Sequence, residues 1–330
     1  MLVTQIALDS KLMSSATVQA VTKLAASLNN QCASQPFPLN FQVCALLPWL
    51  LLRSSPTQTP TAAPQSWASA AGPTTFAGRS LPALAGTLLC VCAAAGTRPF
   101  LPPLRHTLPR NPQDIPVCHL SDPTGCTPPL PNDNAVWAIN TAESTLEAAG
   151  AAQLERARQL RFLLHFVGDV HQPLHAADYF SSQFPTGDRG GNSWPIAGAL
   201  PATNLHSYWD QGLGQWTQNL QRPLNATGKA WLSSLSERVR ALHPVAELQP
   251  FINQRNASDW AVQSNDIAAT FTYTAPQAPT PIPKGYTTQG QALVLKQVAI
   301  AGYRLAAALE LLFSSDPKDL IFAHVQAARQ

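Results

Sequence analysis

The chain carries five potential metal ligands between residues 165 and 210, each of them a histidine or an aspartate. His165 and Asp169 are four residues apart, and so are His206 and Asp210, while His175 lies between the two pairs. Residues at i and i+4 share one face of an α-helix, so each pair presents an imidazole and a carboxylate together. No cysteine lies in this interval. Imidazole and carboxylate without thiolate are typical of a zinc ion held for catalysis.

Helices must position these ligands, because most of the chain after residue 114 has helical spacing of its apolar residues. The sequence Asn132-Asp133-Asn134 predicts the start of the first of these helices. The predicted helices cover residues 135–149, a segment from about 152 into the ligand run, 205–213, 228–242, 258–272 and 288–313. We find no period-2 strand pattern and no internal repeat, and the sequence therefore predicts an all-α fold.

Pro173 interrupts the helix that carries the first ligand pair. Proline has no backbone N–H, so we expect the helix to bend or restart between Asp169 and His175. This bend would direct His175 at a different ion from His165. On a continuous helix His171 would lie about 240° around the axis from His165, which favours a structural or supporting role over a ligand role.

Three consecutive motifs carry a family resemblance. They are His165-Phe-Val-Gly-Asp169-Val-His-Gln-Pro-Leu-His175, Asp188-Arg-Gly-Gly-Asn192 and Asn204-Leu-His206-Ser-Tyr-Trp-Asp210. Together they resemble the signature of the zinc-dependent single-strand nucleases of the P-one/S-one type, which share a fold with bacterial zinc phospholipase C. The resemblance covers about 114 to 315. It implies a multi-helix single domain of the zinc phospholipase C/nuclease type, here with an irregular N-terminal third.

The resemblance also implies roles for individual residues. Three zinc ions lie in the family's cleft, and the implied metal ligands are His165, Asp169, His175, His206 and Asp210. The first two would bind one zinc, and the last three would complete another. Asp169 would also bridge toward a third ion and is the implied catalytic residue. Asn192 is the implied substrate-binding residue.

The activity implied by the resemblance is that of a zinc-dependent phosphodiesterase acting on single-stranded DNA or RNA. Its products would be 5′-phosphorylated, and 3′-nucleotidase action is also expected. Alternatives are a phospholipase C-like esterase and a catalytically impaired homologue that lacks the N-terminal zinc ligands. Ser69 stands where the family has a zinc-binding aspartate, and His106 is a weak candidate for a further histidine ligand. The family's N-terminal tryptophan-to-histidine ligand segment has no counterpart here.

Composition limits the remaining interpretations. The net charge of +3 is too small to indicate a nucleic-acid surface by itself. No apolar run reaches the length of a bilayer span, and we expect a monomer whose partners are single-stranded nucleic acid or nucleotides. By resemblance Cys118 and Cys126 form a short disulfide loop, with two free thiols as the alternative. With sequons at Asn225 and Asn256, this favours secretion or the endomembrane lumen, although no convincing signal peptide is evident.

Residues 10–113 contain no acidic side chain, whereas the whole chain has 18. Folded domains need surface carboxylates, and aperiodic proline-rich tracts do not pack. We therefore expect three parts: an atypical region at 1–113 that is partly disordered or mis-translated, a helical nuclease-like domain at 114–315 and a tail at 316–330. Sequencing of the transcript tests the mis-translation hypothesis for about 30–110, for which a native disordered insertion is the alternative.

Overall fold

The computed structural model describes residues 1–32, 116–118 and 134–314, with the exception of 217, 219 and 222. Helices dominate these residues, which confirms the predicted all-α class. The α-helices are α1 (Leu2–Asp9), α2 (Ser15–Cys32), α3 (Ala135–Glu147), α4 (Gln153–Asp169), α5 (Leu205–Asp210), α6 (Ala226–Leu242), α7 (Val245–Ile252), α8 (Ala257–Thr270) and α9 (Lys284–Phe313). Short 3₁₀ helices cover Pro173–His175 and Thr272–Thr274.

Two three-residue strands, β1 (Pro116–Cys118) and β2 (Asp178–Phe180), pair in parallel with Val117 opposite Tyr179. Strands this short leave no alternating pattern in the sequence, which explains why none was predicted. Ser69, His106 and the Cys118–Cys126 pairing involve residues outside the described part of the chain. The same holds for residues 33–113 and 315–330, so the predicted division into three parts stays a prediction.

Asparagine side chains begin four of the helices. In each case the side-chain oxygen accepts a hydrogen bond from a backbone N–H in the first turn, which would otherwise have no partner. These N-caps are Asn134, Asn204, Asn225 and Asn256, with N···O distances of 2.8–2.9 Å. Two of these asparagines belong to the sequons, so the residues proposed for glycosylation also have a structural role.

Helix α9 is the central element of the core. It packs against α1, α7 and α4, and the largest apolar cluster joins it to α2, α3 and α8. Helix α1 lies directly on α9 at Gly302, where any side chain would collide with Ile6. By length and composition α9 could cross a membrane, but 67% of its most apolar window is buried in the protein, as is common for a core helix.

Candidate metal centre

The first ligand pair lies at the C-terminal end of α4. His165 Nε2 is 3.1 Å from Asp169 Oδ2, one helical turn away on the same face. The helix ends at Asp169, and the backbone N–H of Gln172 bonds to the Asp169 carbonyl at 2.9 Å to close the last turn. The side chain of His165 is 57% exposed, whereas that of Asp169 is 26% exposed. The pair therefore opens to solvent at its histidine and faces the rest of the site at its carboxylate.

The chain restarts after α4 as a 3₁₀ turn that begins with Pro173. The Gln172 side chain caps this turn by accepting a hydrogen bond from the Leu174 N–H at 2.6 Å. His175 is thereby turned back toward α4, and its Nδ1 lies 3.9 Å from Asp169 Oδ1. The bend predicted from Pro173 is confirmed, and it brings His175 close to Asp169 rather than leaving it further along a straight helix.

The second ligand pair lies on α5 and completes a group with His175. His206 Nε2 is 3.5 Å from Asp210 Oδ2, and His175 Nε2 is 3.3 Å from Asp210 Oδ1. The two imidazole rings stack with centroids 5.0 Å apart and planes 18° apart. Gln172 donates a hydrogen bond to Asp210 at 2.9 Å, a contact that was not predicted because it joins residues 38 positions apart in the chain.

The candidate metal ligands shift one another's pKa values. Burial favours the neutral forms, but the bond from His165 to Asp169 and the contacts of His175 and His206 with Asp210 outweigh it, so both carboxyls have a lowered pKa. Burial would lower the pKa of His175, yet Asp210 and Asp169 raise it. At His206 burial prevails and the pKa is lowered. Ionised carboxylates and an uncharged His206 are the protonation states that a divalent cation requires.

His175, His206 and Asp210 fit a zinc ion. One ligand atom from each lies within 4.8 Å of the others. Two ligands of a tetrahedral zinc are about 3.4 Å apart, close to the observed carboxylate–imidazole separations of 3.3 and 3.5 Å. His206 Nδ1 lies 2.7 Å from the Gly190 carbonyl, to which it must donate, so its Nε2 carries the free lone pair. His175 Nδ1 is buried without a hydrogen-bond partner. The donor set and its tautomer therefore suit metal binding.

The Asp188–Asn192 loop supports His206 from behind. Asp188 is fully buried. Its carboxylate accepts hydrogen bonds from the Tyr179 N–H, the Tyr273 hydroxyl and the Gly191 N–H at 2.9–3.0 Å. This holds a loop with positive φ at Arg189, Gly190 and Gly191. The carbonyls of the two glycines accept hydrogen bonds from the His206 ring and backbone. The motif was recognised in the sequence, but this role of Asp188 was not predicted.

Asn192 is exposed, and its side-chain amide donates to the Arg189 carbonyl at 2.8 Å. Its substrate role stays a prediction. His171 lies outside the ligand group: it is 3% exposed, and both ring nitrogens are engaged, with the Val167 carbonyl and with Arg304. These contacts give His171 a structural role, which is the role that the sequence favoured. Trp209 is 1% exposed and belongs to the core.

A cavity of about 330 Å³ opens beside the candidate metal ligands. One wall is polar and includes Asp169, His175 and Asp210, while α1, Trp216 and α9 form a largely apolar wall. Pockets of this size with a few convergent polar groups commonly hold small ligands. Three of the metal-ligand candidates, Asp169, His175 and Asp210, thus line a space large enough for part of a substrate. Trp216 and α1 were not predicted as neighbours of this site, because neither has a motif that indicates it.

The fold is all-α, and it brings histidines and aspartates together as candidate metal ligands. The S1/P1 Nuclease family model matches residues 117–314, more than half of the chain, and the chain therefore belongs to the S1/P1 nuclease family. Endonuclease 4 of Arabidopsis thaliana is 30% identical over 165 residues, which cover 48% of this chain and 52% of that protein.

Two fungal proteins are similar at lower identity. Nuclease S1 of Aspergillus oryzae is 26% identical over 177 residues, or 48% of this chain and 56% of that protein. Nuclease P1 of Penicillium citrinum is 26% identical over 183 residues, or 52% of this chain and 64% of that protein. The chain spans about half the length of several curated relatives that it matches.

Proposed function

We propose that the protein is a zinc-dependent phosphodiesterase that cleaves single-stranded DNA or RNA to 5′-phosphorylated products and also acts as a 3′-nucleotidase. The observation that carries this proposal is the convergence of His175, His206 and Asp210 at zinc-ligand spacing. Membership of the S1/P1 nuclease family supports it. The names of the related endonucleases support a nucleic-acid substrate.

The residues of the chain have distinct tasks in this proposal. His175, His206 and Asp210 would hold one zinc ion, and His165 with Asp169 would contribute to a second. Bound zinc supplies a Lewis acid that polarises a phosphoryl oxygen and lowers the pKa of water. Asp169 lies between the two groups, within 3.9 Å of His175 and 3.1 Å of His165, and its ionised carboxylate can serve both.

The cavity would receive the part of the substrate next to the scissile phosphate. Its polar wall carries Asp169, His175 and Asp210, and its apolar wall excludes water from that side. Asn192 is proposed to contact the substrate from the loop behind His206. The proposed secretion, glycosylation and monomeric state rest on the family resemblance and the sequons.

Metal analysis combined with substrate assays tests this function on the full-length chain. We expect bound zinc, and cleavage of a single-stranded oligonucleotide that EDTA abolishes, with little action on duplex DNA or phosphatidylcholine. His206→Ala should lose both zinc and cleavage. His243→Ala, which removes a histidine outside the cluster, is the matched control.

Three outcomes would overturn the proposal in different ways. Hydrolysis of phosphatidylcholine with no cleavage of nucleic acid would favour the phospholipase C-like alternative. Zinc binding without any hydrolysis would favour the impaired homologue. Cleavage that survives both EDTA and His206→Ala would remove the metal cluster from the reaction.

A further inference from the structure

The segment between Asp169 and His175 is held from outside by two helices. Side chains of α8 and α9 donate hydrogen bonds to backbone carbonyls on both sides of the break. These bonds run from Ser264 to Val170 at 2.6 Å, from Asn265 to Ala176 at 3.0 Å and from Gln297 to His171 at 3.3 Å. The break that brings the two ligands together is therefore fixed by tertiary contacts as well as by Pro173.

His171 terminates helix α4 with its side chain. If the helix continued, the backbone N–H of His171 would bond to the Val167 carbonyl. Instead, that N–H bonds to the Gly168 carbonyl at 3.2 Å, and the ring Nδ1 lies 2.7 Å from the Val167 carbonyl. The imidazole thus takes over an acceptor that the end of the helix would otherwise leave unpaired. This requires the tautomer that carries its proton on Nδ1.

Arg304 on α9 dictates that tautomer. Its Nη1 lies 2.8 Å from His171 Nε2, and a guanidinium can only donate, so Nε2 must accept and the proton must be on Nδ1.

Arg304 is unusual because it is 2% exposed yet forms no ion pair with a carboxylate among the described residues. Three of its four remaining N–H donors bond to the Phe251 carbonyl at 2.9 Å and to the amide oxygens of Gln263 and Gln254 at 2.8 and 3.2 Å. The guanidinium also lies 5.2 Å from the Trp260 ring centre. A buried cation is costly unless it is fully hydrogen-bonded. An apolar residue would fill the same space at less cost, so simple packing does not explain an arginine here.

We propose that Arg304 is a positioning residue for the metal centre: through His171 it fixes the end of α4 and the turn that brings His175 against Asp169 and Asp210. The link runs from Arg304 to the His171 ring, from that ring to the Val167 carbonyl, and along eight residues of backbone to His175. This proposal rests on the zinc site of the proposed function. Its measurements of zinc affinity, of the Co²⁺ spectrum and of the His171 ring do not depend on catalysis.

The test compares zinc affinity in Arg304→Met, Arg304→Lys and a control. Methionine fills similar space without donors, and we expect it to weaken zinc binding about 10- to 100-fold, as loss of a group that orients a ligand does. Lysine keeps a charge and a donor and should restore part of the affinity. Tyr303→Phe is the matched control. It removes a hydrogen bond from the neighbouring α9 side chain, donated by the Tyr303 hydroxyl to the His243 carbonyl at 2.8 Å, and leaves the turn intact.

Two spectroscopic measurements separate positioning from a general loss of stability. The visible spectrum of bound Co²⁺ should change in Arg304→Met and remain that of the wild type in Tyr303→Phe. In metal-free protein, ¹H–¹⁵N NMR should show the His171 ring with its proton on Nδ1 in the wild type. That proton should exchange with solvent faster in Arg304→Met than in Tyr303→Phe.

A folded Arg304→Met variant with wild-type zinc affinity, Co²⁺ spectrum and exchange rate of the His171 Nδ1 proton would overturn the proposal. If Arg304→Met does not fold, Gln297→Met carries the test, because Gln297 donates to the His171 carbonyl from the same helix. We then expect a severalfold loss of zinc affinity, and an unchanged affinity would contradict the proposal. Absence of nuclease activity in the wild type would overturn the proposed function alone.

Discussion

Replacement of Asp210 by asparagine removes one charge and one acceptor from the centre of the ligand group. The carboxylate lies 3.3 Å from His175 Nε2 and 3.5 Å from His206 Nε2, and it accepts a hydrogen bond from Gln172 at 2.9 Å. Asparagine has nearly the same shape, and its amide oxygen can still accept from Gln172. The substitution therefore tests the ligand role with little change in packing.

The size of the effect follows from metal linkage. Loss of a group that only supports a ligand costs about 10- to 100-fold in metal affinity, so loss of a ligand should cost at least about 100-fold. A 100-fold loss is about 2.7 kcal/mol. Since zinc bound to the folded state stabilises it by its binding free energy, the zinc-dependent stabilisation should fall by the same amount. That corresponds to a melting temperature lower by roughly 5–11 °C in a domain of about 200 residues.

The assay is thermal unfolding with saturating zinc and again with EDTA, together with chelator competition. The EDTA measurement is needed because the pKa of Asp210, lowered by His175 and His206 despite burial, means that its charge also stabilises the metal-free fold above acidic pH. Asp266→Asn, an exposed carboxylate on α8, is the control. If Asp210→Asn bound zinc as tightly as the wild type, Asp210 would not be a ligand.

Three further predictions concern the surroundings of the site. Gly187→Ala should lower the free energy of unfolding by about 1–3 kcal/mol in urea, because φ is +86° and the new methyl group would collide with the Asp178 carboxylate; unchanged stability would contradict this. Asp188→Asn should weaken zinc binding about tenfold in chelator competition. The new amide N–H₂ would face one of the three donors that now hold the loop behind the metal centre. Undiminished zinc affinity would show that the loop does not support the metal centre. Burial and the charge of Glu147 raise the pKa of Glu143 to about 7, so the folded state retains a proton that the unfolded chain has released above pH 4.5. The free energy of unfolding should therefore fall as the pH rises from 5 to 8, by at most about 3 kcal/mol since solvent screens this half-buried group. In Glu143→Gln the fall should be smaller by that amount. An equal pH dependence of the free energy of unfolding in the two proteins would refute the raised pKa of Glu143.

The sequence predicted those parts of the site that depend on local geometry. The four-residue spacing of His206 and Asp210 needs only a helix, and Pro173 alone was enough to predict a break before His175. The helix over 135–149 was also predicted and ends slightly earlier, at Glu147. These features follow from backbone periodicity and from the missing proline N–H.

The rest depends on contacts between distant residues. The bond between His171 and Arg304 joins positions 133 residues apart, and no local pattern indicates it. Helix α7 was missed because Pro250 lies within it, and proline argues against a helix interior. Helices α1 and α2 were not predicted either, although α1 lines the cavity beside the cluster. Their place is decided by packing on α9 and α4.

Anomalous diffraction at the zinc edge, from crystals of the full-length chain grown with zinc, tests the central claim most directly. We predict a zinc peak about 2.0–2.2 Å from His206 Nε2, from a carboxylate oxygen of Asp210 and from a ring nitrogen of His175. A zinc-replete crystal without a peak between these three side chains would contradict the account.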